Sequence, residues 1–569
     1  MNLRRSLMCA SFCASTLASS LAPAAAAPVT GAQAPLTLAN IAAYTDNLHT
    51  ATPIKHLVVI YQENVSFDHY FGTYPHANNP AGEPAFSPRP RAITLGGTVH
   101  ETAVDNLSNN HLILINPNNS AANGANAAAP YRLDRTQAAT ADQNHGYLAE
   151  QQAYDGGKMD LFPTYTGTAS AGGVGAFGTK GQVMGIFDGN TVTALWHYAQ
   201  YYAMSDNAWT DTYGPSTPGA VEAVAGQTNG VTAVLGTSSG VVPDGQGGYT
   251  LDTDVDPAYD SCSSTTRTIA LTAKNIGDLL NAAKITWGGF MGGFDLGLSN
   301  ANGTTGCARS TVSPTVNQTV SDYIPHHNWF QYYASTANYT HARPARLGDV
   351  GFSFQTSGAA DPANHEYDLN DFTTALRHGV MPAVAYIKMP AYQDGHAGYS
   401  DPLDEQTGVV TLINQIMRSP EWKSTAIIIT YDDSDGWYDH AFAAPTSSSY
   451  GTLDALNGPN TCGSGTEPNG LAGAPVHGRC GPGTRIPFMV ISPFSRQDYV
   501  SHTLITQASI VKFIEDNWLS GTRLGGGSFD ATTGSIDDMF DFTTGHATAP
   551  HAILQPTTGE VYQIAGSNF

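Results

Sequence analysis

Two apolar segments of this chain each lead straight into oxygen-bearing side chains, although they lie far apart in the sequence. Residues 54–61 and 426–431 are apolar runs, which is typical of strands buried on both faces in a parallel sheet flanked by helices. The polar residues that follow the two runs are Glu63, Asn64, Asp432 and Asp433. In such sheets ligands bind beyond the carboxyl ends of the strands, so these four residues are expected to meet at one site. The pattern indicates a metal-assisted enzyme.

The chain has 569 residues, a length that would permit several domains. Because the expected site draws on both ends of the sequence, we predict instead one catalytic unit over residues 53–569. It should carry loop-rich insertions near 77–130 and 441–484. Residues 28–52 are interpreted as a lead-in segment with little periodicity.

The start of the chain has the three parts of a secretory signal peptide. Arg4 and Arg5 precede an apolar segment at 6–21, and small residues follow at 24–27. We therefore predict a signal peptide at 1–27 and a secreted or periplasmic protein. Loss of the two arginines would change the formal net charge from −23 to −25, which makes nucleic acid and anionic membrane surfaces poor partners. No later segment has the ~18 consecutive apolar residues of a membrane-spanning helix, so no transmembrane segment is expected after signal cleavage.

Four of the six cysteines lie beyond the signal segment, and they fall into two local pairs. The pairs are Cys262 with Cys307 and Cys462 with Cys480. An even number of cysteines in an exported chain favours two disulfides, each closing a loop, since the spacings match no zinc motif. The alternative is that the four thiols are free or paired differently.

Apolar runs and helical patterns alternate along the chain, which predicts an α/β fold. Further strands are expected at 231–235, 285–290, 383–389 and 486–492. Helices are expected at 142–154, 191–202, 276–283, 404–418 and 507–518. The loops or insertions indicated by a Gly-, Ser- and Thr-rich composition are 237–267, 297–320 and 441–484.

The first motif that carries chemistry is Glu-Asn-Val-Ser-Phe-Asp-His-Tyr-Phe-Gly at 63–72. Glu63 and Asn64 each offer a hard oxygen donor at a strand end, as a divalent cation requires. The alternative is a helix cap, in which Asn64 or Ser66 satisfies backbone amides of a helix that runs through Phe71.

The second motif is Gly-Pro-Ser-Thr-Pro-Gly at 214–219, and good helix formers follow it. Pro218 suits the first position of a helix, which would place the Ser216 hydroxyl at a helix N-terminus where backbone amides and the helix dipole favour a phosphate group. Beside a metal ion, that serine would be activated to attack a phosphorus atom. A simple Ser/Thr cap of the helix is the alternative.

The third motif places four carboxylates within eight residues, from Asp432 to Asp439. Their repulsion at the end of an apolar strand indicates a cation among them, although an Asp/Gly/Ser turn has the same composition. Several histidines also lie in loops or at element ends, where imidazoles can bind phosphoryl oxygens, protonate a leaving group or ligate metal. They are His145, His326, His327, His396 and His440. Any one of them taken alone is more typical of a solvated or structural histidine.

Together these motifs resemble the bacterial phosphoesterase family of secreted acid phosphatases and non-zinc phospholipases C, within the alkaline phosphatase superfamily. The matching stretches occur in the expected order at 61–72, 214–218, 322–327, 393–396 and 431–440. The resemblance implies an α/β, alkaline phosphatase-like fold in which a central, mostly parallel sheet is flanked by helices and carries loop-rich insertions.

The resemblance also implies roles for individual residues. Ser216 would be the nucleophile that becomes transiently phosphorylated, and the ligands of a divalent metal ion would be Glu63, Asn64, Ser216, Asp432 and Asp433. The residues around the phosphoryl group would be His145, His326, His327 and His396, one of them acting as the acid for the leaving group. Mostly oxygen ligands favour Ca, Mg or Mn, while the nearby histidines leave Zn or Fe open.

We expect a secreted acid phosphatase that acts on small phosphate monoesters, because the phospholipase C branch usually carries threonine in place of Ser216. The alternatives are a phospholipase C that cleaves phosphatidylcholine-type lipids and an exported binding protein that keeps the fold without the chemistry. A sulfatase of the same superfamily is disfavoured, since residues 216–220 lack the arginine of its modified motif. If the histidines act as cations, activity should peak below the ordinary imidazole pKa of ~6.5.

Overall fold

The computed structural model describes residues 37–89, 103–173, 175–235, 240–353, 360–543 and 547–565. The predicted signal peptide at 1–27 lies outside these ranges. Helix α1 (Leu38–Asp46) falls within the segment interpreted as a lead-in, and its Ile41 side chain is buried in the core. The packed part of the chain therefore begins before residue 53, the start expected from the sequence.

Eight strands form the central sheet of the described chain, and we number them in chain order. They are β1 (His56–Gln62), β2 (Ala203–Ser205), β3 (Trp287–Met291), β4 (Glu366–Asp368), β5 (Val384–Lys388), β6 (Thr425–Tyr431), β7 (Phe488–Ile491) and β8 (Tyr499–Ser501). Their order across the sheet is β4-β3-β5-β1-β6-β7-β2-β8, and only β7 runs antiparallel to its neighbours. The prediction of a mostly parallel central sheet is confirmed.

Helices cover both faces of this sheet. The remaining α-helices of the described ranges are α2 (Phe67–Phe71), α3 (Tyr147–Tyr154), α4 (Phe162–Tyr165), α5 (Thr193–Tyr201), α6 (Ser216–Ala225), α7 (Ile276–Ala283), α8 (Leu369–Arg377), α9 (Pro402–Met417) and α10 (Ala508–Trp518). Helices α2, α5, α8 and α9 pack on one face, and α6, α7 and α10 pack on the other. The predicted α/β fold class is therefore confirmed. Within the described residues, no helix combines the length and apolar character needed to cross a membrane.

Strand β1 shows why the apolar runs are continuous rather than alternating. Its residues are all buried, with Val58 and Ile60 on the face of α9 and Leu57 and Val59 on the face of α6 and α10. Full burial of one such side chain contributes about 1.5–3 kcal/mol to stability. A strand covered on both faces therefore stabilises the two layers at once, and its carboxyl end is fixed in the middle of the sheet.

Some elements differ from the sequence-based expectation. The patterns do not predict β2, β4 and β8, because three residues are too few to show a period. The helix expected at 142–154 begins at Tyr147, so His145 precedes it in an extended segment. The predicted strand at 231–235 pairs with Thr268–Leu271 in a separate small sheet instead of joining the central one.

Short strands also form outside the central sheet, some of them in segments interpreted as loops. The small ribbons of the described chain are Val241–Pro243 with Tyr249–Leu251, Ser310–Val312 with Thr319–Ser321, Tyr131–Arg132 with Gly185–Ile186, Ala208–Trp209 with Ile505–Thr506, and His551–Leu554 with Val561–Ala565. Asp256–Pro257 also pairs with Thr268–Leu271. None of these ribbons belongs to the central sheet.

Both predicted cysteine pairs are bonded in the structure. The Cα atoms of Cys262 and Cys307 lie 5.2 Å apart, and those of Cys462 and Cys480 lie 6.0 Å apart. The first pair links two surface segments, whereas the second is fully buried beside Tyr213 and Tyr154.

A buried charge network joins the segment after β1 to the segment after β6. The guanidinium of Arg485 is fully buried and lies 3.3 Å from the Asp68 carboxylate and 2.9 Å from that of Asp439. His440 Nδ1 lies 2.6 Å from Asp68 Oδ2. Burial lowers the pKa of His440, but the carboxylates of Asp68 and Asp105 outweigh burial and raise it to about 10. These motif residues therefore pair with one another.

We predict that Arg485→Met destabilises the protein by about 3–5 kcal/mol, because it leaves Asp68 and Asp439 buried without their cation. Urea unfolding at pH 7 measures the loss. Arg377→Met is the matched control, since Arg377 lies on the exposed side of α8, and its effect should stay within about 0.5 kcal/mol. Equal effects of the two substitutions would contradict the prediction.

Candidate active site

Helix α6 places Ser216 at its first position. Pro215 precedes the helix without capping it, and Pro218 is the third helical residue rather than the first, as the sequence suggested. Asp254 instead accepts a hydrogen bond from the backbone N–H of Thr217, at 2.9 Å. The interpretation of Ser216 as a simple helix cap is therefore wrong, and its hydroxyl is directed toward other groups.

Gly219 allows α6 to approach the end of β6 closely. A Cβ atom at this position would lie 2.1 Å from the backbone oxygen of Asp432. Tyr61, in β1, donates a hydrogen bond from its hydroxyl to the Gly219 carbonyl at 2.7 Å. The first turn of α6 is thus held against the carboxyl ends of the two strands that carry the motifs.

The Ser216 hydroxyl lies among oxygen atoms from both strand ends. Its Oγ is 3.0 Å from Glu63 Oε2, 3.3 Å from Asp433 Oδ2 and 3.5 Å from Asn64 Oδ1. Asp432 adjoins this group, and its Oδ1 accepts a hydrogen bond from the backbone N–H of Asn64 at 3.0 Å. The expected convergence of the two strand ends is therefore present.

The backbone of Asn64 adopts the left-handed conformation, with φ of 62°. Such a conformation persists where surrounding contacts fix it, and Asn64 Nδ2 donates to Asp435 Oδ1 at 3.1 Å. The helix-cap alternative holds for Ser66 alone, which caps α2 by accepting a hydrogen bond from His69. Asn64 instead presents its side-chain oxygen to Ser216.

The acidic residues of this group fit a divalent cation. Glu63, Asp432 and Asp433 are each at most 1% exposed, and Asp432 Oδ2 receives no hydrogen bond within the described residues. Burial, reinforced by the charge of Asp432, raises the pKa of both Glu63 and Asp433 well above the usual range. The atoms that face the serine are all oxygens, as a hard ion such as Ca²⁺, Mg²⁺ or Mn²⁺ prefers.

Lys388 is a member of the site that sequence reasoning missed. It ends β5, is 1% exposed, and contacts Glu63 Oε1 through its ammonium group. Its Nζ also lies 4.0 Å from Asp432 Oδ2. The available signal was a lysine at the end of an otherwise apolar strand.

Two further carboxylates hold the ligands and histidines in place. Asp435 Oδ1, which binds Asn64, also lies 3.1 Å from His145 Nδ1. Asp394 Oδ1 accepts a hydrogen bond from the backbone N–H of His396 at 3.0 Å. Both residues lie inside the stretches that match the family, 393–396 and 431–440, although the sequence assigns them no separate role.

The four predicted histidines surround this group of oxygens. His327 Nδ1 lies 3.0 Å from Glu63 Oε1, and the ring of His396 is 6.2 Å from the rings of both His327 and His145. His326 packs against His327 at 4.5 Å, and its side chain is 30% exposed. His440 lies in the Arg485 network instead. The open side of the site is therefore the side of His326.

The four imidazoles differ in their charge. Burial lowers the pKa of His145, but the carboxylates of Asp433 and Asp435 outweigh it and raise the pKa well above the usual range. Partial burial lowers the pKa of His326, but the nearby carboxylates of Asp256 and Asp254 outweigh it and raise the pKa. Burial lowers the pKa of His327 and that of His396, so these two favour the neutral form. The surroundings thus favour the cationic form of His145 and His326 and the neutral form of His327 and His396.

Residues 54–519 match the Phosphoesterase family, and the chain belongs to that family. Over 510 residues it is 21% identical to Phospholipase C B of Mycobacterium tuberculosis, a match that spans 86% of this chain and 78% of that protein. Over 140 residues it is 28% identical to the Non-hemolytic phospholipase C of Pseudomonas aeruginosa. That match covers 24% of this chain and 20% of the relative, so it spans only a fifth of the relative's length. Among solved structures, the murine ectonucleotide pyrophosphatase/phosphodiesterase 5 aligns with 62% of this chain and 95% of its own, at 11% identity and a TM-score of 0.28.

We predict that Gly219→Ala destabilises the protein by about 1–3 kcal/mol, because the added methyl group would clash with the Asp432 backbone. In an unobstructed helix the same change would stabilise by up to about 1 kcal/mol, so the sign of the effect is informative. Thermal unfolding measures it. The control Gly297→Ala, at an exposed loop position where only the Asp295 side chain lies near, should change little. A gain in stability for Gly219→Ala would contradict the close approach.

Proposed function

We propose that this chain is an exported phosphatase that hydrolyses phosphate monoesters through a phosphoserine at Ser216. The observation that carries the proposal is the position of the Ser216 hydroxyl in the first turn of α6. It lies within 3.5 Å of three side-chain oxygen atoms from two strand ends, each of which could bind a metal ion. Membership of the Phosphoesterase family supports the reaction class. The residues that would hold a divalent metal ion are Glu63, Asn64, Ser216, Asp432 and Asp433.

In the first step, the Oγ–P bond to Ser216 forms as the bond between phosphorus and the alcohol oxygen breaks. The hydroxyl proton leaves toward the carboxylate oxygens around it, of which Glu63 Oε2 is nearest at 3.0 Å. A bound metal ion would polarise the phosphoryl oxygens and increase the acidity of the serine hydroxyl. The imidazolium groups of His145 and His326 would stabilise the charge on the phosphoryl oxygens.

The leaving alcohol requires a proton, and His396 is the best placed of the four histidines to give it. Its Nδ1 is held by the Ala397 carbonyl at 2.6 Å, so Nε2 is the nitrogen that would carry the transferred proton. Because burial lowers the pKa of His396, a fall in pH favours the form that would give up this proton. Water then attacks the phosphorus atom of the phosphoserine and the P–Oγ bond breaks. Inorganic phosphate leaves, and the Ser216 hydroxyl regains a proton. This assignment agrees with the acid optimum expected from the sequence.

A phospholipase C activity is the second candidate, and the named Mycobacterium and Pseudomonas relatives favour it. A cavity of about 530 Å³ is bordered by Asn144 and Gly146, which flank His145 in the chain. Its other walls include the apolar Leu148 and the cationic Arg267. We infer the monoester from the serine at 216.

A substrate panel tests the proposal. The purified protein should release phosphate from p-nitrophenyl phosphate faster than it releases phosphocholine from phosphatidylcholine. Phosphate release should be faster at pH 5.5 than at pH 8, because the proposed acid His396 has a lowered pKa. Chelation should stop turnover, and Ca²⁺, Mg²⁺ or Mn²⁺ should restore it. Faster cleavage of the phospholipid would favour the second candidate, and turnover in protein that elemental analysis shows to be metal-free would contradict the metal-assisted site. No turnover of any ester would indicate a binding protein.

We predict that Ser216→Ala lowers kcat at least tenfold, which corresponds to ~1.4 kcal/mol in the barrier, without unfolding the protein. Wild-type protein quenched in acid during turnover should carry one phosphoryl group on the peptide that contains Ser216, as measured by mass spectrometry. The control Ser419→Ala removes a hydroxyl beyond the end of α9 that donates to the Ile416 carbonyl, so turnover should be unchanged. A phosphorylated residue other than Ser216 would contradict the assignment.

A further inference from the structure

Lys388 is a buried lysine in the centre of the sheet, next to the site. It is the last residue of β5, which pairs with β1 on one side and with β3 on the other, opposite Met291. Lysines are almost never fully buried unless they are paired, and this one is 1% exposed. The buried ammonium group is therefore stable only beside partners that compensate for its loss of hydration.

The contacts of the ammonium group are almost all with the proposed ligands and their backbone. Its Nζ touches Glu63 Oε1, lies 3.5 Å from the Gln62 carbonyl and 4.0 Å from Asp432 Oδ2. It also lies 5.6 Å from the centre of the Tyr61 ring. The lysine thus reaches Ser216 only through Glu63 and has no contact with the serine hydroxyl within the described residues.

Because Lys388 contacts Glu63, the two carboxylate oxygens of Glu63 have different partners. Oε1 is held by the Lys388 ammonium and by His327, whose Nδ1 lies 3.0 Å away. Oε2 is left to face the Ser216 hydroxyl at 3.0 Å. Without the lysine, either oxygen could turn toward the serine, and the carboxylate would lose its fixed orientation.

The charges of the cluster also support a role for Lys388 as one of its cations. Glu63, Asp432 and Asp433 contribute three negative charges in a buried space, whereas Lys388 contributes one positive charge and one divalent ion would contribute two. These charges balance one another, and buried charges are tolerated where they are paired. The groups of ligand atoms at the site that could hold a second ion are Asp142 with His145 and His396, and Glu63 with His327 and Asp394, whose ligand atoms lie within 4.8 Å of one another. The second of these groups includes the carboxylate whose Oε1 the lysine already contacts.

We propose that Lys388 is a positioning residue that acts as a built-in cation: it fixes Glu63 with one oxygen toward Ser216 and occupies the place of a second metal ion, so that each chain binds one divalent ion. The proposal rests on the metal-assisted site proposed above. Binding of the ion and turnover are measured separately below, so the two proposals fail in different ways.

The first experiment counts ions in the wild-type protein. Chelated protein is saturated with Mn²⁺, freed of excess by gel filtration and analysed for metal. One Mn²⁺ per chain is expected. Two ions per chain would overturn the role of Lys388 and leave the metal-assisted site intact, whereas no bound ion would overturn both.

The second experiment tests the lysine itself. In chelated protein, Lys388→Met should lower the Tm, and adding Glu63→Gln should recover part of the loss because it removes the unpaired carboxylate. With Mn²⁺, Lys388→Met should lower kcat at least tenfold and change KM less than threefold, because the ammonium orients Glu63 without touching substrate. The control Lys423→Met removes a lysine that is 58% exposed and should affect neither quantity.

Strictly additive losses of Tm in the double variant, or an unchanged kcat in Lys388→Met, would overturn the proposal. If Lys388→Met does not fold, Lys388→Gln provides a second variant that keeps a polar contact with Glu63, with the same expected direction in both readouts. The ion count on the wild-type protein decides the matter independently of either variant.

Discussion

The burial of three carboxylates beside one serine hydroxyl is the constraint on which the rest of this structure depends. Glu63, Asp432 and Asp433 are at most 1% exposed, and burial works against their ionised forms. Such a group is stable only with cations beside it, and the chain provides one in Lys388. The oxygen atoms that remain, including Asp432 Oδ2, which receives no hydrogen bond within the described residues, favour the binding of a divalent ion. Binding of that ion and folding of the site are therefore expected to support each other.

The sheet solves the problem of bringing these residues together. Strands β5, β1 and β6 are adjacent and parallel, so their carboxyl ends deliver Lys388, Glu63 and Asp432 to one edge. Helix α6 then approaches this edge closely because position 219 is glycine, and it brings Ser216 to the centre. A second set of buried charges around Arg485 ties the loops after β1 and β6 to each other. The scaffold is thus rigid where the proposed chemistry requires fixed distances.

The histidines add a pH-dependent layer to this arrangement. Carboxylates next to His145 and His326 favour their cationic forms, whereas burial favours the neutral forms of His327 and His396. In the proposed reaction, two of these imidazoles would stabilise negative charge and one would give up a proton. This division results from the neighbours of each ring, because the side chains are chemically identical.

The sequence by itself determined the fold class, the paired strand ends and the cysteine pairing, because continuous apolar runs and local spacing are properties of the chain alone. It also singled out the nine residues of the candidate site, through motifs whose order matches a known family. Only the tertiary structure decided how these residues meet: that His440 pairs with Asp68, that Pro218 is third in its helix, and that Lys388 belongs to the site. A lysine after four apolar residues carries no sign of its partner in the sequence. The pairing exists because β1 and β5 are neighbours in the sheet, and that adjacency is set by long-range packing rather than by any local pattern.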